Sequence, residues 1–248
     1  MFWGLYNTNK FDAKKLAKNP NILEVPKGEM LLASCVSILR NTYGFITTVE
    51  NGYSCDTEGN ELPLYTYPTI EYLIQFDFSK KKVFEFGAGA STKFWMKQAQ
   101  NVHSVENNQL WFNKLKPEVD TNVTLHLAQG DAFPKQINQI EDVFDVIVVD
   151  GAGYRYDCAK FALSKLADDG LIILDNADWH HNTAAMLKKS GLLQIDMTGF
   201  KPGEHHTSTT SLFLRRSFDF PTKEVRQPSF GMGAKELHSA EWDSPMVK

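Results

Sequence analysis

From residue 82 onward the sequence alternates short apolar segments with helix-forming segments, and this alternation limits the folds open to the chain. Strands are predicted at 82–86, 102–106, 122–128, 145–150 and 170–175, and helices at about 91–100, 109–117, 134–141, 157–167 and 180–190. Residues 146–149 and 171–174 are continuously apolar, as in central parallel strands covered on both faces. With further strands at 192–197 and 208–216, the pattern predicts an α/β protein with a doubly wound, mostly parallel seven-stranded sheet.

Acidic residues stand at the ends of successive predicted strands. Glu106 closes the second strand, Asp131 follows the third, Asp150 closes the fourth, and Asp175-Asn176 close the fifth. Because the carboxyl ends of parallel strands meet at one crevice of a doubly wound sheet, these side chains are expected to lie close together. The pattern is typical of an enzyme.

The first predicted strand leads into a glycine-rich turn, Gly87-Ala88-Gly89. Glycine lacks a Cβ atom and tolerates positive φ, so such a turn lets the backbone approach a ligand closely. A dinucleotide-binding fingerprint would place a third glycine at position 92, where this chain has Thr92. The absence of a Gly-Lys-Ser/Thr tripeptide argues against a triphosphate-binding P-loop.

Composition narrows the expected partners. The 248 residues carry a formal net charge of −4 at pH 7, so no nucleic-acid partner is expected, and the basic run at 80–82 is interpreted as a solvated loop. Three cysteines without C-x-x-C spacing predict free thiols. Without a signal peptide or a membrane span, a soluble cytoplasmic protein that does not bind membranes is expected. Nothing in the sequence indicates the oligomeric state.

Three regions are predicted along the chain: an N-terminal cap at 1–65, a catalytic domain at 66–216 and an irregular tail at 217–248. A helix at 27–41 and a strand at 43–49 are expected in the cap, and Pro68 suits the first turn of a helix that runs to about Phe76. Cap aromatics that could cover a small acceptor are Tyr43, Phe45, Tyr53, Tyr65 and Tyr67. Tail aromatics that could hold the chain to the surface are Phe218, Phe220, Phe230 and Trp242.

Together, the glycine turn, the acidic strand ends and the strands at 144–150 and 170–175 resemble the class I S-adenosylmethionine-dependent methyltransferases over roughly residues 65–216. This resemblance implies a Rossmann-like methyltransferase fold and S-adenosylmethionine as cofactor. For the methionine part it implies backbone contacts from Gly87, Ala88 and Gly89, with Glu85 fixing the turn and Ser91 near the carboxylate. For the nucleoside it implies that Glu106 accepts from the ribose hydroxyls and that Asp131 and the backbone of Ala132 bind the adenine.

A second resemblance concerns the acceptor side. Asp150, Asp175 and Asn176 offer three oxygen ligands suited to Mg²⁺ or Ca²⁺, similar to the divalent-metal-dependent O-methyltransferases of the catechol and caffeoyl-CoA type. Those of the catechol type carry a lysine base three residues after the first metal aspartate, where this chain has Gly153. The metal-free alternative places Asp150 near the amino group of the cofactor and gives Asp175-Asn176 a helix-capping role.

Histidine is then the candidate base, because its ordinary pKa suits proton removal near neutrality. His180 and His181 follow the fifth strand, with Asp178 placed to orient one of them, and a second pair, His205 and His206, precedes the last strand. Asp150 would take part in catalysis by holding a cation beside the reacting hydroxyl. The remaining histidines, His103, His126 and His238, are interpreted as structural.

No Asp/Asn-Pro-Pro-Tyr motif follows the fourth strand, which argues against the amino-methyltransferases that carry it. The predicted function is therefore O-methylation of a small-molecule or sugar hydroxyl. One alternative is a nicotinamide-dependent oxidoreductase, which Thr92 disfavours. The other is a non-catalytic cofactor-binding protein that acts through its cap and tail, which the intact acids disfavour.

Overall fold

The computed structural model describes residues 27–225, 227–229, 231–235 and 245. Its helices are α1 (Lys27–Asn41), α2 (Phe45–Asn51), α3 (Tyr67–Leu73), α4 (Ala90–Gln98), α5 (Gln109–Leu115), α6 (Ala132–Lys135), α7 (Arg155–Ala162) and α8 (His181–Lys189). Its strands are β1 (Lys82–Phe86), β2 (Asn101–Glu106), β3 (Val123–Leu127), β4 (Phe144–Val149), β5 (Leu166–Leu174), β6 (Leu193–Phe200) and β7 (Thr207–Leu214). Short 3₁₀ helices lie at Lys116–Glu118, Gln136–Gln139 and Ala177–Trp179.

The strands form one seven-stranded sheet in the order β3-β2-β1-β4-β5-β7-β6. In this order, the neighbouring strands from β3 through β2, β1 and β4 to β5 pair in parallel. Strand β7 is antiparallel to both β5 and β6. The predicted doubly wound, mostly parallel seven-stranded sheet is confirmed. Strand order reverses between β1 and β4, so the crevice of the sheet lies at their carboxyl ends, where Gly87 and Asp150 follow.

The continuous apolar runs are explained by helices on both faces of the sheet. Along β4, Val146 and Val148 pack into one core cluster and Ile147 and Val149 into the other, and all four are fully buried. Alternate side chains of a strand point to opposite faces, so a strand covered on both faces needs an apolar residue at every position.

The strand predicted at 43–49 is wrong, because residues 45–49 lie in helix α2. Glycines in the left-handed region start and end this helix, Gly44 and Gly52, both with φ +73°. The Thr48 hydroxyl donates to the Cys55 carbonyl at 2.9 Å and accepts from the Cys55 N–H at 3.1 Å, which ties the helix to the following loop. The β-branched residues here favoured a strand, and these tertiary contacts override that preference.

Segment 27–65 packs on the sheet domain through aromatic and hydroxyl side chains. Tyr43 donates to the Glu71 carboxylate at 2.5 Å and lies 4.4 Å, ring to ring, from Tyr67. Tyr65 and Tyr67 are buried in the core, whereas Tyr53 is exposed. Residues 1–26 of the predicted cap lie outside the described residues, so the division at residue 65 stays a prediction.

The first part of the tail packs on the core. Phe218 and Phe220 contact Phe76 edge to face, with ring centroids 5.5 and 6.3 Å away. Phe230, Trp242 and His238 lie outside the described residues. No helix in the part of the chain that the structure describes is long and apolar enough to cross a membrane.

The basic run at 80–82 is only in part the solvated loop that was predicted, because Lys80 is exposed whereas Lys81 and Lys82 form ion pairs. Lys81 is 15% exposed, and its Nζ lies 3.0 Å from both the Asp145 and Asp169 carboxylates. Lys82 pairs with Asp142 at 2.6 Å. These two lysines link the start of β1 to acidic residues in and just before β4 and in β5.

Candidate functional site

The glycine turn after β1 needs a glycine at one position and leaves space at another. Gly87 has φ +92°, and a Cβ atom there would lie 2.9 Å from Gly151 Cα and 3.0 Å from the Asp150 carbonyl. Gly89 has extended backbone, and a Cβ there would meet nothing within 4 Å. Gly87 is therefore required by the fold, whereas Gly89 keeps a space open above the turn.

Glu85 lies beneath the turn and is fully buried. Its Oε2 accepts from the Thr92 hydroxyl at 2.5 Å and from the Ser104 hydroxyl at 2.7 Å, while Thr92 accepts from the Gly89 N–H at 2.9 Å. Burial raises the pKa of Glu85 to about 7, against the opposing effect of its hydroxyl partners. Glu85 thus links β1, β2 and the start of α4.

Glu106 closes β2 and joins the turn to the next loop. Its Oε2 accepts from the Ala88 N–H at 3.1 Å, and its Oε1 accepts from the Asn107 and Asn108 N–H groups at 2.9 and 2.7 Å. An ionised carboxylate has about four acceptor positions, so these three bonds leave capacity for a ligand hydroxyl.

A cleft of about 690 Å³, called the first cleft below, lies over this turn. Its volume is within the range of small-molecule sites, roughly 300–1,000 Å³. Of the predicted site residues, those that line it are Gly87, Ala88, Gly89, Ser91, Glu106 and Asp150. Lining residues that the sequence analysis did not assign include Glu61, Lys93, Trp111, Lys114, Glu118 and Ala152, and Tyr53 lines it from the N-terminal segment.

Trp111 is the most informative of these additions. Its indole Nε1 donates to the Ala88 carbonyl at 2.7 Å, so its ring is held against the glycine turn. Asn108 caps α5 by accepting from the Leu110 and Trp111 N–H groups at 2.9 and 3.1 Å. The sequence did contain a signal for Trp111. Asn108 is a favoured N-cap residue three positions earlier, which places Trp111 in the first turn of the following helix.

Asp131 and Ala132 lie at the start of α6, are exposed, and are not among the residues that line the first cleft. The neighbouring Gln129 and Gly130 line a shallow groove together with Asn107. Adenine recognition by Asp131 and Ala132 stays a prediction.

Each of the two predicted metal aspartates has a cation of the chain beside it. Asp150 Oδ1 accepts from an Arg155 guanidinium nitrogen at 2.9 Å, and Asp175 Oδ2 accepts from Lys201 Nζ at 2.6 Å. Burial and the Asp175 carboxylate raise the pKa of Asp150, against the opposing effect of Arg155 and Lys201. Lys201 and Arg155 are site residues that the sequence analysis did not identify.

These contacts do not fit a divalent cation. A metal at Asp150, Asp175 and Asn176 would compete with an arginine and a lysine for the same oxygens. Across residues 27–225 and the shorter described stretches, no group of three or more His, Cys, Asp or Glu side chains is arranged to hold a metal ion. The expected metal centre therefore has no support in the geometry.

A second cleft, of about 960 Å³, contains both histidines that follow β5. Its lining residues are Gly153, Tyr154, Arg155, Tyr156, Trp179, His180, His181, Asn182, Thr183, Ala185, Met186 and Lys189. The loop after β4 borders both clefts, because Asp150 and Ala152 line the first and Gly153 and Arg155 line the second. Tyr154 in this loop has φ +55°, a rare conformation for a bulky residue that occurs at functional sites.

Within the second cleft, His180 has a fixed proton position. Its Nδ1 lies 2.8 Å from the Asn176 carbonyl, which only accepts, so Nδ1 carries a proton and Nε2 is left with the lone pair when the ring is neutral. Asp178 does not orient a histidine as predicted: its Oδ1 accepts from the Thr209 N–H at 3.0 Å.

His206 is exposed and pairs with Glu204 at 3.5 Å, and neither it nor His205 is among the residues lining either cleft. His103 and His126 stack on adjacent strands with ring nitrogens 3.1 Å apart, and burial lowers the pKa of both. The second pair of candidate bases thus does not line either cleft, and the β2–β3 pair has a packing role.

Comparisons with known proteins return structures only. No protein-family model matches the chain, and a search of curated proteins gives no significant match. Similar solved structures include a precorrin-6Y C5,15-methyltransferase from Geobacter metallireducens, with TM-score 0.48, 16% identity, and coverage of 66% of this chain and 95% of that one. An rRNA methylase from Streptococcus thermophilus gives TM-score 0.43 and 13% identity, with 58% and 91% coverage. The N-methyltransferase NodS from Bradyrhizobium japonicum gives a TM-score of 0.45 and 13% identity. That match covers 59% of this chain and 93% of NodS. Likeness at this level does not indicate a common activity.

Proposed function

We propose that this protein is an S-adenosylmethionine-dependent methyltransferase that acts on a hydroxyl of a small molecule or sugar without a bound divalent cation. The observation that carries the proposal is the first cleft itself, which both the open space at Gly89 and the Glu106 carboxylate border. Backbone there suits close contact with the methionine part, and the remaining acceptor capacity of Glu106 suits a ribose hydroxyl.

Thr92 supports this cofactor over a dinucleotide. In the dinucleotide fingerprint the third glycine permits close packing of helix on strand. Here Thr92 is fully buried at that position, and its hydroxyl joins Glu85 to the Gly89 N–H. The side chain that departs from the fingerprint is thus part of the support of the turn.

When bound, S-adenosylmethionine supplies a methyl group on a positively charged sulfur. The residues of this chain must then hold an acceptor hydroxyl and take its proton. His180 is suited to the second task, because the Asn176 carbonyl holds its Nδ1–H and leaves Nε2 to accept a proton in the second cleft. His181 lines the same cleft but is exposed.

The cofactor is tested with one substitution at two glycines. Gly89→Leu is expected to fold normally, since its φ is extended and its Cβ meets nothing, yet to fill the first cleft and abolish binding of S-adenosylhomocysteine in calorimetry. Gly28→Leu, which also places its side chain in open space but on α1, is the matched control and should bind normally. Tight binding of NAD by the unaltered protein, without binding of S-adenosylhomocysteine, would refute the proposal.

The base is tested once an acceptor is found. His180→Ala should lower kcat by roughly 10²- to 10⁴-fold, the usual effect of losing a general base, with unchanged S-adenosylhomocysteine affinity. His206→Ala is the control from the histidine pair outside the clefts. Loss of turnover in His206→Ala but not in His180→Ala or His181→Ala would assign the base to the loop before β7.

A further inference from the structure

The second cleft differs from the rest of the chain in its charge. The protein has a formal net charge of −4, yet no Asp or Glu is among the described residues that line this cleft. Arg155 and Lys189 line it together with two histidines. A cleft of this size without an acid favours an anionic occupant.

Lys189 is the cation that is available to such an occupant. The guanidinium of Arg155 already contacts the Asp150 carboxylate at 2.9 Å and the Gly151 carbonyl at 3.0 Å. In contrast, no salt bridge of Lys189 is found within the described ranges, and its side chain lies at the exposed end of α8. Both lysines that line the first cleft already have partners. Lys93 pairs with the Glu118 carboxylate at 2.5 Å, and Lys114 Nζ lies 4.8 Å from the centroid of the Trp111 ring.

Three aromatic residues give the cleft flat apolar surfaces. Tyr154, Tyr156 and Trp179 line it and are 44%, 47% and 64% exposed. Large aromatic side chains left this exposed within one concave site are suited to stack on the face of a ring.

We infer that the acceptor is a small molecule with a flat-faced ring and an anionic group, bound in the second cleft with its ring on these aromatics and its anion beside Lys189. This inference rests on the proposed function, since it names the class of acceptor for the same reaction. An aryl phosphate and a sugar phosphate share the required chemistry.

The test is calorimetry of the whole protein saturated with S-adenosylhomocysteine, with phenyl phosphate, glucose 1-phosphate and neutral phenyl β-glucoside as probes. At least one of the two phosphates should bind about tenfold or more tightly than the neutral glucoside, and the tighter one identifies the ring type. Lys189→Glu should weaken that binding about tenfold or more. Lys188→Glu, the same charge change one residue earlier on α8 and outside the cleft, should leave it unchanged.

Three results would overturn the inference: equal affinity for neutral and anionic probes, equal losses in the two lysine variants, or tighter binding of a single-stranded oligonucleotide than of either phosphate. Binding of S-adenosylhomocysteine is measured in the same series. Its absence would refute the proposed function, whereas its presence without selectivity for the anions would refute only the anionic acceptor.

Lys201 is a charged side chain that the mechanism does not use, although it is 1% exposed. Its Nζ lies 2.6 Å from Asp175 Oδ2, and the Thr210 hydroxyl donates to the other oxygen of Asp175 at 2.7 Å. In the amide orientation that satisfies every neighbour, the Asn176 oxygen lies 2.9 Å from Lys201 Nζ and its nitrogen 2.9 Å from Asp175. One ammonium group therefore contacts two of the three predicted metal ligands.

We propose that the Lys201 ammonium takes the place of a divalent cation and makes this centre independent of metal. Removing one partner of a buried ion pair leaves the other charge uncompensated, which is strongly unfavourable. A vacated ammonium position beside Asp175 and Asn176 would offer oxygen ligands to a small cation.

Calorimetry with Mn²⁺ tests this independently of any substrate. The unaltered protein should show no binding, Lys201→Ala should gain binding and be thermally stabilised by Mn²⁺, and Lys201→Ala combined with Asp175→Asn should not. Lys201→Gln, which keeps a polar side chain of similar length, serves if the alanine variant does not fold. Mn²⁺ binding by the unaltered protein, or none by either folded Lys201 variant, would overturn the proposal.

Discussion

The buried carboxyl of Glu85 makes the stability of this protein depend on pH, because burial raises its pKa more than its hydroxyl partners lower it. Burial raises its pKa from 4.5 to about 7, so the folded protein holds a proton there that the unfolded chain has released. Between these values the folded state binds more protons than the unfolded state, and the free energy of unfolding therefore falls as pH rises from about 4.5 to about 7. The carboxyl is fully buried, so solvent screening does not reduce this effect.

The magnitude follows from the two pKa values. At about 1.4 kcal/mol for each tenfold change in proton affinity, the difference between 4.5 and about 7 corresponds to about 3 kcal/mol. Glu85→Gln removes the titrating group. Its amide oxygen can still accept from Thr92 and Ser104, while its NH₂ takes the position of Oε1, a buried oxygen without a hydrogen-bond partner among the described residues. The cost of that unpaired NH₂ does not vary with pH.

Urea unfolding at intervals from pH 4 to pH 8 measures the effect. The unfolding free energy of Glu85→Gln, relative to that of the unaltered protein, should rise by about 3 kcal/mol across this range. Glu58→Gln makes the same chemical change at an exposed carboxylate and should give a constant difference. A constant difference for Glu85→Gln as well would show that burial does not raise this pKa.

Two further predictions concern the turn. Gly87→Ala should lower the free energy of unfolding in urea by about 2–4 kcal/mol, because φ is +92° and the new Cβ would lie 2.9 Å from backbone. The control Gly191→Ala, with φ +93° and nothing within 4 Å, should lower it by only about 1 kcal/mol in the same assay. Equal losses in the two variants would contradict the steric argument. Trp111→Phe removes the hydrogen bond to the Ala88 carbonyl and should weaken S-adenosylhomocysteine binding about fivefold in calorimetry. The control Trp179→Phe, in the second cleft, should leave this affinity unchanged. An unchanged affinity in Trp111→Phe would show that the hydrogen bond does not shape the first cleft.

Much of the sheet follows from local pattern. Continuous apolar runs predict strands covered on both faces, and the residues 146–149 and 171–174 are central strands of the sheet. The turn after β1 was also predictable, because the conformation at Gly87 excludes a side chain. In these places a short stretch of chain carries its own constraint, and tertiary contacts agree with it.

Where tertiary contacts oppose local preference, sequence reasoning failed. A strand was predicted at 43–49, but Gly44, Gly52 and the hydroxyl of Thr48 make 45–51 a helix. The role of Lys81 was missed for a related reason, since its partners Asp145 and Asp169 lie 64 and 88 positions away.

The composition of the site shows the same division. Order along the chain determined that acids follow successive strands, and parallel pairing brought Glu106 and Asp150 to one cleft. Order along the chain did not determine which side chains face Asp150 and Asp175. Lys201 reaches Asp175 from the end of β6, 26 positions further along the chain, and Arg155 turns back from α7 to contact Asp150 at the end of β4. Charge pairing between segments depends on how the chain folds back on itself, so only the tertiary structure decided that these aspartates face cations of the protein.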